Sequence, residues 1–126
     1  MGTRYLLDTN VILDFMGNNF PANVKRIIFE IIDVEINLSV INKIELLGFS
    51  RVEQDLIDFV NYSNIFAMDD DIVDKTIEIR RLYKIKLPDA IIAATALVHG
   101  FELVSHNVKD FHHIRGLQVF DPYSEK

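Results

Sequence analysis

Apolar and polar positions along the chain follow two periods. Short apolar or alternating runs at 4–7, 35–40, 65–68, 102–105 and 118–120 read as strands. The segments between them carry apolar residues three and four apart, which marks helices with one buried face. The first helix spans 10–16 and stops at Gly17-Asn18-Asn19. The second opens on Pro21 and reaches about residue 32, with Val24, Ile27, Ile28 and Ile31 on one stripe. Further helices are expected over 42–48, 51–61 and 69–83, and a short helical turn over 107–112. The 69–83 segment is acidic in its first turn and basic in its last, which suits the helix dipole. A helix over 88–98, stopped by His99-Gly100, departs from the amphipathic pattern. Its sequence, LPDAIIAATAL from Leu87, is apolar at almost every position and predicts burial on several sides. A carboxylate, Asp89, nevertheless stands at its start.

Strands separated by helices predict a parallel sheet covered on both faces, an α/β fold forming a single domain over 1–126. Ligands in such folds sit at the carboxyl ends of the strands. Asp8-Thr9-Asn10 follows the first strand, Asn42-Lys43-Ile44-Glu45 the second, and His106-Asn107-Val108-Lys109-Asp110 the run ELVS. Asp8, Glu45, Asp89 and Asp110 all fall at or near helix N-termini, and this fold class brings them to one rim. Each has a local explanation. Asp8 suits a helix cap, Asn42 with Glu45 a capping box, Pro88-Asp89 a helix start, and Asn107 with Asp110 another cap. Together, four carboxylates on one rim repel one another unless a cation sits among them. Hard divalent cations bind such oxygen clusters, and Mg²⁺ takes one or two carboxylates while keeping several waters.

Composition narrows the chemistry. The chain has 126 residues, 49% of them hydrophobic, which suits one domain with a sizeable core. It has no cysteine, which excludes disulfides and thiolate metal sites. No apolar run is long enough to span a bilayer. MGTRYLLDTN meets Asp8 too soon for a signal peptide, and Leu6 stands where a myristoylation motif has Ser or Thr. The expected location is the cytoplasm, with no membrane partner. A net charge of −6 argues against a strongly basic, sequence-blind nucleic-acid binder. It leaves room for a nuclease, because bound cations reverse the field of a carboxylate site. The five glycines never cluster, which excludes a P-loop or dinucleotide loop.

LLDTNVILDF, INKIELLGF, LPDAIIAATAL and LVSHNVKDF, in this order and spacing, resemble the four acidic motifs of the PIN domain. The closest subgroup is the VapC-like toxins of toxin–antitoxin pairs, and the resemblance runs from about residue 5 to residue 120. It implies an α/β/α sandwich with a central, mainly parallel sheet. It also implies an Mg²⁺- or Mn²⁺-dependent endoribonuclease acting on RNA, a homodimer, and a cognate antitoxin protein as partner. Asp8, Glu45, Asp89 and Asp110 match the acidic quartet, as catalytic residues and metal ligands. Thr9 and Asn10 match the polar pair after the first acid, and Asn107 the polar residue before the fourth. Ser105 stands where the family usually has Thr and keeps the hydroxyl.

Other features read as structural. Adjacent side chains on a helix do not face one site, so Asp69-Asp70-Asp71 reads as a helix start. Asp14 is expected in solvent, and His112-His113 on the surface. Lys75, Arg80, Arg81, Lys84 and Lys86, with Glu78 among them, read mainly as a solvated face. Arg80 and Lys84 are the candidate pair for guiding RNA phosphates. Ile12, Phe15, Phe20, Ile27, Ile28 and Ile31 are expected mostly in the core. Part of that stripe, or the Leu56-Ile57-Phe59-Val60 segment, is a candidate groove for an antitoxin helix. Two other functions fit the fold class. One is a PIN-fold binding module without catalysis. The other is a phospho-accepting receiver domain, which requires paired acids after the first strand where only Asp8 stands.

Overall fold

The structure, a computed structural model, describes residues 2–124. The chain runs β1 (Tyr5–Leu7), α1 (Thr9–Met16), α2 (Ala22–Val34), β2 (Asn37–Ser39), α3 (Val40–Leu47), α4 (Gln54–Tyr62) and β3 (Asn64–Phe66). It continues through α5 (Asp70–Leu82), α6 (Leu87–His99), β4 (Glu102–Val104), α7 (Val108–Phe111) and β5 (Val119–Phe120), and closes on a 3-10 turn at Pro122–Ser124. Every expected strand and helix is present. No helix among the described residues is long and apolar enough to cross a membrane.

All strand pairs are parallel, as the alternating layout requires. β4 lies between β1 and β5 in one ladder, and β2 pairs with β3 in another. β1 lies beside β2, but no backbone ladder joins them. The seam is closed by a side chain. Asn37, 1% exposed, donates from Nδ2 to the Tyr5 carbonyl at 2.9 Å and accepts from Asn64 Nδ2 at 3.1 Å.

Strand alternation divides the core between the two faces of the sheet. Leu6 and Leu103 join Ile72, Ile79 and the α6 residues Ile91 and Ile92 in one cluster. Their neighbours Leu7 and Val104 join Val11, Ile12, Val24, Ile28 and Leu38 in the other. The helix α6 is sealed as its composition predicts, with every residue from Ala90 to Ala96 buried. Of the apolar stripe, Ile12, Phe20 and Ile28 are buried, while Ile27 and Ile31 line an open groove of about 640 Å³ with Tyr5, Val34 and Phe120. In the 56–60 segment Leu56 and Val60 belong to the core.

Local chemistry moves several boundaries. The second strand ends at Ser39, because the Ser39 hydroxyl accepts from Ile41 N and starts α3 at Val40. The capping box is therefore Ser39 with Asn42, whose Oδ1 accepts from Ser39 N at 2.9 Å, and not Asn42 with Glu45. That leaves Glu45 without a capping duty. After α1 the left-handed residue is Asn18, φ 57°, while Gly17 stays right-handed. Asn tolerates this region better than most residues. Gly100, φ 71°, ends α6 in the left-handed conformation expected of it. Asp69 caps α5 by accepting from Ile72 N at 3.0 Å, as the helix-start reading of the acidic run requires. Asp14 is half-buried rather than solvated, since it accepts from the Tyr123 hydroxyl.

Candidate active site

The carboxyl ends of β1, β2 and β4 lead directly into Asp8, α3 and Ser105. Asp8 is 5% exposed. Its Oδ1 accepts from Thr9 N at 2.9 Å, so it does serve α1 as a cap. Its Oδ2 accepts from the Ser105 hydroxyl at 2.8 Å and from Asn10 Nδ2 at 3.1 Å. Burial raises the Asp8 pKa, the three donors oppose the rise, and the Glu45 charge adds to it. The polar residues beside the first acid therefore orient it. Asn10 also accepts from His106 N at 3.1 Å, tying α1 to the turn after β4. Asn107 does not cap α7 with its side chain; its backbone N–H donates to Ser105 Oγ at 3.0 Å.

Glu45 projects from α3 and is exposed. The Thr9 hydroxyl donates to its Oε1 at 2.6 Å and accepts from Asn42 Nδ2 at 3.1 Å. Asn42 is fully buried. A relay Ser39–Asn42–Thr9 thus fixes the second acid relative to the first. Sequence reading names Thr9 but takes Asn42 for a cap alone.

Asp89 lies in the first turn of α6, half-buried, behind Pro88. Its pKa is pushed up to about 6, by burial first and then by the charges of Asp8, Asp110 and Glu45, with Lys86 opposing. The structure therefore draws all four acids within electrostatic reach of one another. Asp110, on α7, is exposed and shares a cleft of about 510 Å³ with Asp89, Lys84, Lys86, Lys109 and His113. Of the two cations singled out from the sequence, Lys84 lines that cleft. Arg80 does not; its Nη1 donates to the Ile85 carbonyl at 3.0 Å, which pins the α5–α6 loop.

Among the described residues, no three acidic or histidine side chains close together tightly enough to hold an ion directly. The donors are all carboxylate oxygens, two of them at least half-buried. Such a set fits an ion that binds one or two carboxylates and keeps its waters, as Mg²⁺ does. It does not fit a closed zinc site, which needs four converging ligands.

A family model described as PIN domain matches residues 5–117. Ribonuclease VapC1 of Rickettsia felis is 49% identical over 45 residues, 32% of this chain and 34% of that protein. The aligned stretch thus spans about a third of that curated relative. Among solved structures, a toxin–antitoxin complex from Klebsiella pneumoniae is 32% identical with a TM-score of 0.75, covering 94% of this chain and 98% of that one. VapBC-1 from nontypeable Haemophilus influenzae is 25% identical with a TM-score of 0.77, covering 96% and 99%.

Proposed function

The chain belongs to the PIN-domain family, and on that premise we propose that it is a divalent-metal-dependent endoribonuclease, the toxin of a toxin–antitoxin pair. The observation that carries this reading is Asp89: a carboxylate on a buried helix whose pKa is raised to about 6 by burial and by three neighbouring acids. Such mutual repulsion destabilises the folded chain, and an arriving cation relieves it. Asp8 and Asp89 would hold an Mg²⁺ or Mn²⁺ ion, and Glu45 and Asp110 would complete its surroundings. When bound, such an ion would supply Lewis-acid chemistry, lowering the pKa of a water and offsetting charge on the departing oxygen. The chain's own part is orientation. Ser105, Thr9 and Asn10 keep the Asp8 oxygens aimed, and the Asn42–Thr9 relay keeps Glu45 within reach. Attack by water that breaks the bond from phosphorus to the 3′ oxygen leaves 5′-phosphate and 3′-hydroxyl ends and needs no Ser, Cys or His nucleophile.

The similar structure from Klebsiella pneumoniae is a toxin–antitoxin complex, which supports a protein antitoxin as partner here. The groove along α2, lined by Ile27, Ile31 and Val34, has the open apolar form that receives a partner helix.

The test is RNA cleavage by the parent chain with and without Mn²⁺, beside Asp8→Asn and Asp89→Asn. Both substitutions keep side-chain volume and remove charge, and each is expected to lower cleavage by about 100-fold or more. Asp71→Asn, at the exposed start of α5, should leave it unchanged. Parent-rate, metal-dependent cleavage by Asp89→Asn would overturn the assignment.

A further inference from the structure

The cleft beside Asp89 and Asp110 has cations on both walls. Lys86 immediately precedes α6, and Lys109 stands next to Asp110 on α7. Lys84 approaches from the α5–α6 loop. All three lysines are exposed. Among the described residues the ion pairs are Arg4–Glu35, Lys75–Glu78 and His106–Asp121, so none of these lysines is paired. That is notable in a chain with 19 acidic residues against 13 basic ones. Carboxylates are abundant, and Lys86 lies near enough to Asp89 to oppose the rise in its pKa, yet none of the three ammonium groups is tied up in a salt bridge among the described residues.

His113 stands on the same cleft, exposed, its ring edge-on to Tyr83 at 5.3 Å between centroids. The Tyr83 hydroxyl accepts from Arg115 N at 3.1 Å, which fixes the tyrosine against this loop. The His112 ring also lies 5.7 Å from that of His113, yet His113 stays exposed, and an exposed imidazole held between two rings is a surface on which a base can stack.

The charge balance gives the cleft its purpose. Four carboxylates repel an approaching phosphodiester, and one divalent ion offsets only half of their charge. The three lysines more than offset the remainder, on the side where α6 and α7 open. We infer that Lys86 and Lys109 form a subsite for the phosphate flanking the cleaved one on single-stranded RNA, with Lys84 at its mouth and His113 stacking on the adjoining base. This deepens the nuclease reading and rests on it.

The experiment measures binding of a short fluorescein-labelled single-stranded RNA of mixed sequence by fluorescence anisotropy. The Asp89→Asn chain is the background, so that nothing is cut during titration. Adding Lys86→Gln with Lys109→Gln is expected to weaken binding by ~10-fold and to reduce the slope of log affinity against log salt by ~0.7 per lysine. His113→Ala should weaken binding without changing the slope, because stacking releases no counterion. Lys25→Gln, on α2 and bonded to Asn18, should do neither. In the otherwise unaltered chain, the two lysine changes should raise KM and largely spare kcat. An affinity and salt slope unmoved by the lysine pair, in a protein whose parent cuts RNA, would overturn the subsite alone. Lysine-dependent binding to duplex DNA with none to the single strand would overturn it also. Lysine-dependent RNA binding by a chain that never cuts RNA would sink the nuclease reading, and with it the assignment to a phosphate flanking a cleaved one, leaving only a lysine site for RNA phosphate.

Discussion

A half-buried carboxylate held among like charges has a measurable signature of its own. Asp89 titrates at about 6 in the folded chain against 3.8 ordinarily, so between those values the folded state holds the proton more tightly. Stability contributed by this group therefore falls as pH rises through that window. Burial drives the shift first, the charges of Asp8, Asp110 and Glu45 add to it, and Lys86 works against it. Asp89→Asn removes the penalty. With Asp89 about half exposed to solvent, the metal-free variant should be more stable than the parent by about 1 kcal/mol at neutral pH. That gain should shrink below about pH 6 and vanish by about pH 3, below the ordinary value of 3.8, where both states of the parent are protonated. Urea midpoints at the two pH values check this, and equal midpoints at neutral pH would contradict it. The four acids were legible in the sequence because three of them follow strands and the fourth opens a conspicuous helix. Asn42 was not legible as a site residue, because its partner Thr9 lies 33 positions away and only the fold joins them.

At the scale of elements, α6 and α3 hold their acids differently. LPDAIIAATAL announced its burial, and α6 carries Asp89 on a helix packed on several sides. The amphipathic α3 leaves Glu45 exposed and relies on the Asn42–Thr9 relay to aim it. Asn42→Ala should cost about 2 kcal/mol, since it strands the Ser39 N–H and loosens the Thr9 hydroxyl. It should also slow cleavage by about 10-fold at an unchanged fold. Once Glu45 is removed, Asn42 has nothing left to position. Adding Asn42→Ala to Glu45→Ala should then cost little further activity, and fully additive losses in that double-mutant cycle would count against the relay. The misplaced start of α3 has the same origin. Ser39 and Asn42 both satisfy capping chemistry, and only the buried Ser39 N–H decides between them.

Across the whole molecule, the order of strands and helices was readable because the parallel α/β arrangement writes both periodicities into the sequence. The sheet's division was not, because EINLSV reads alike whether its strand joins a ladder or lies beside one. That seam gives the rim unequal supports. Asp8 and Ser105 belong to the β1–β4–β5 piece, while Glu45 follows β2. Between the pieces stand the Asn37 amide, the Thr9 contacts and the exposed Arg4–Glu35 pair in place of a ladder. Amides on the facing edges of β1 and β2 should accordingly exchange with deuterium through local opening, well before those shared by β1 and β4. The same opening separates Glu45 from Asp8, so activity should disappear at denaturant concentrations that leave most of the helices folded. A coincident loss of activity and helical signal would show that the seam opens only when everything does. Otherwise the chain disarms itself by parting along one line, and recovers by closing it.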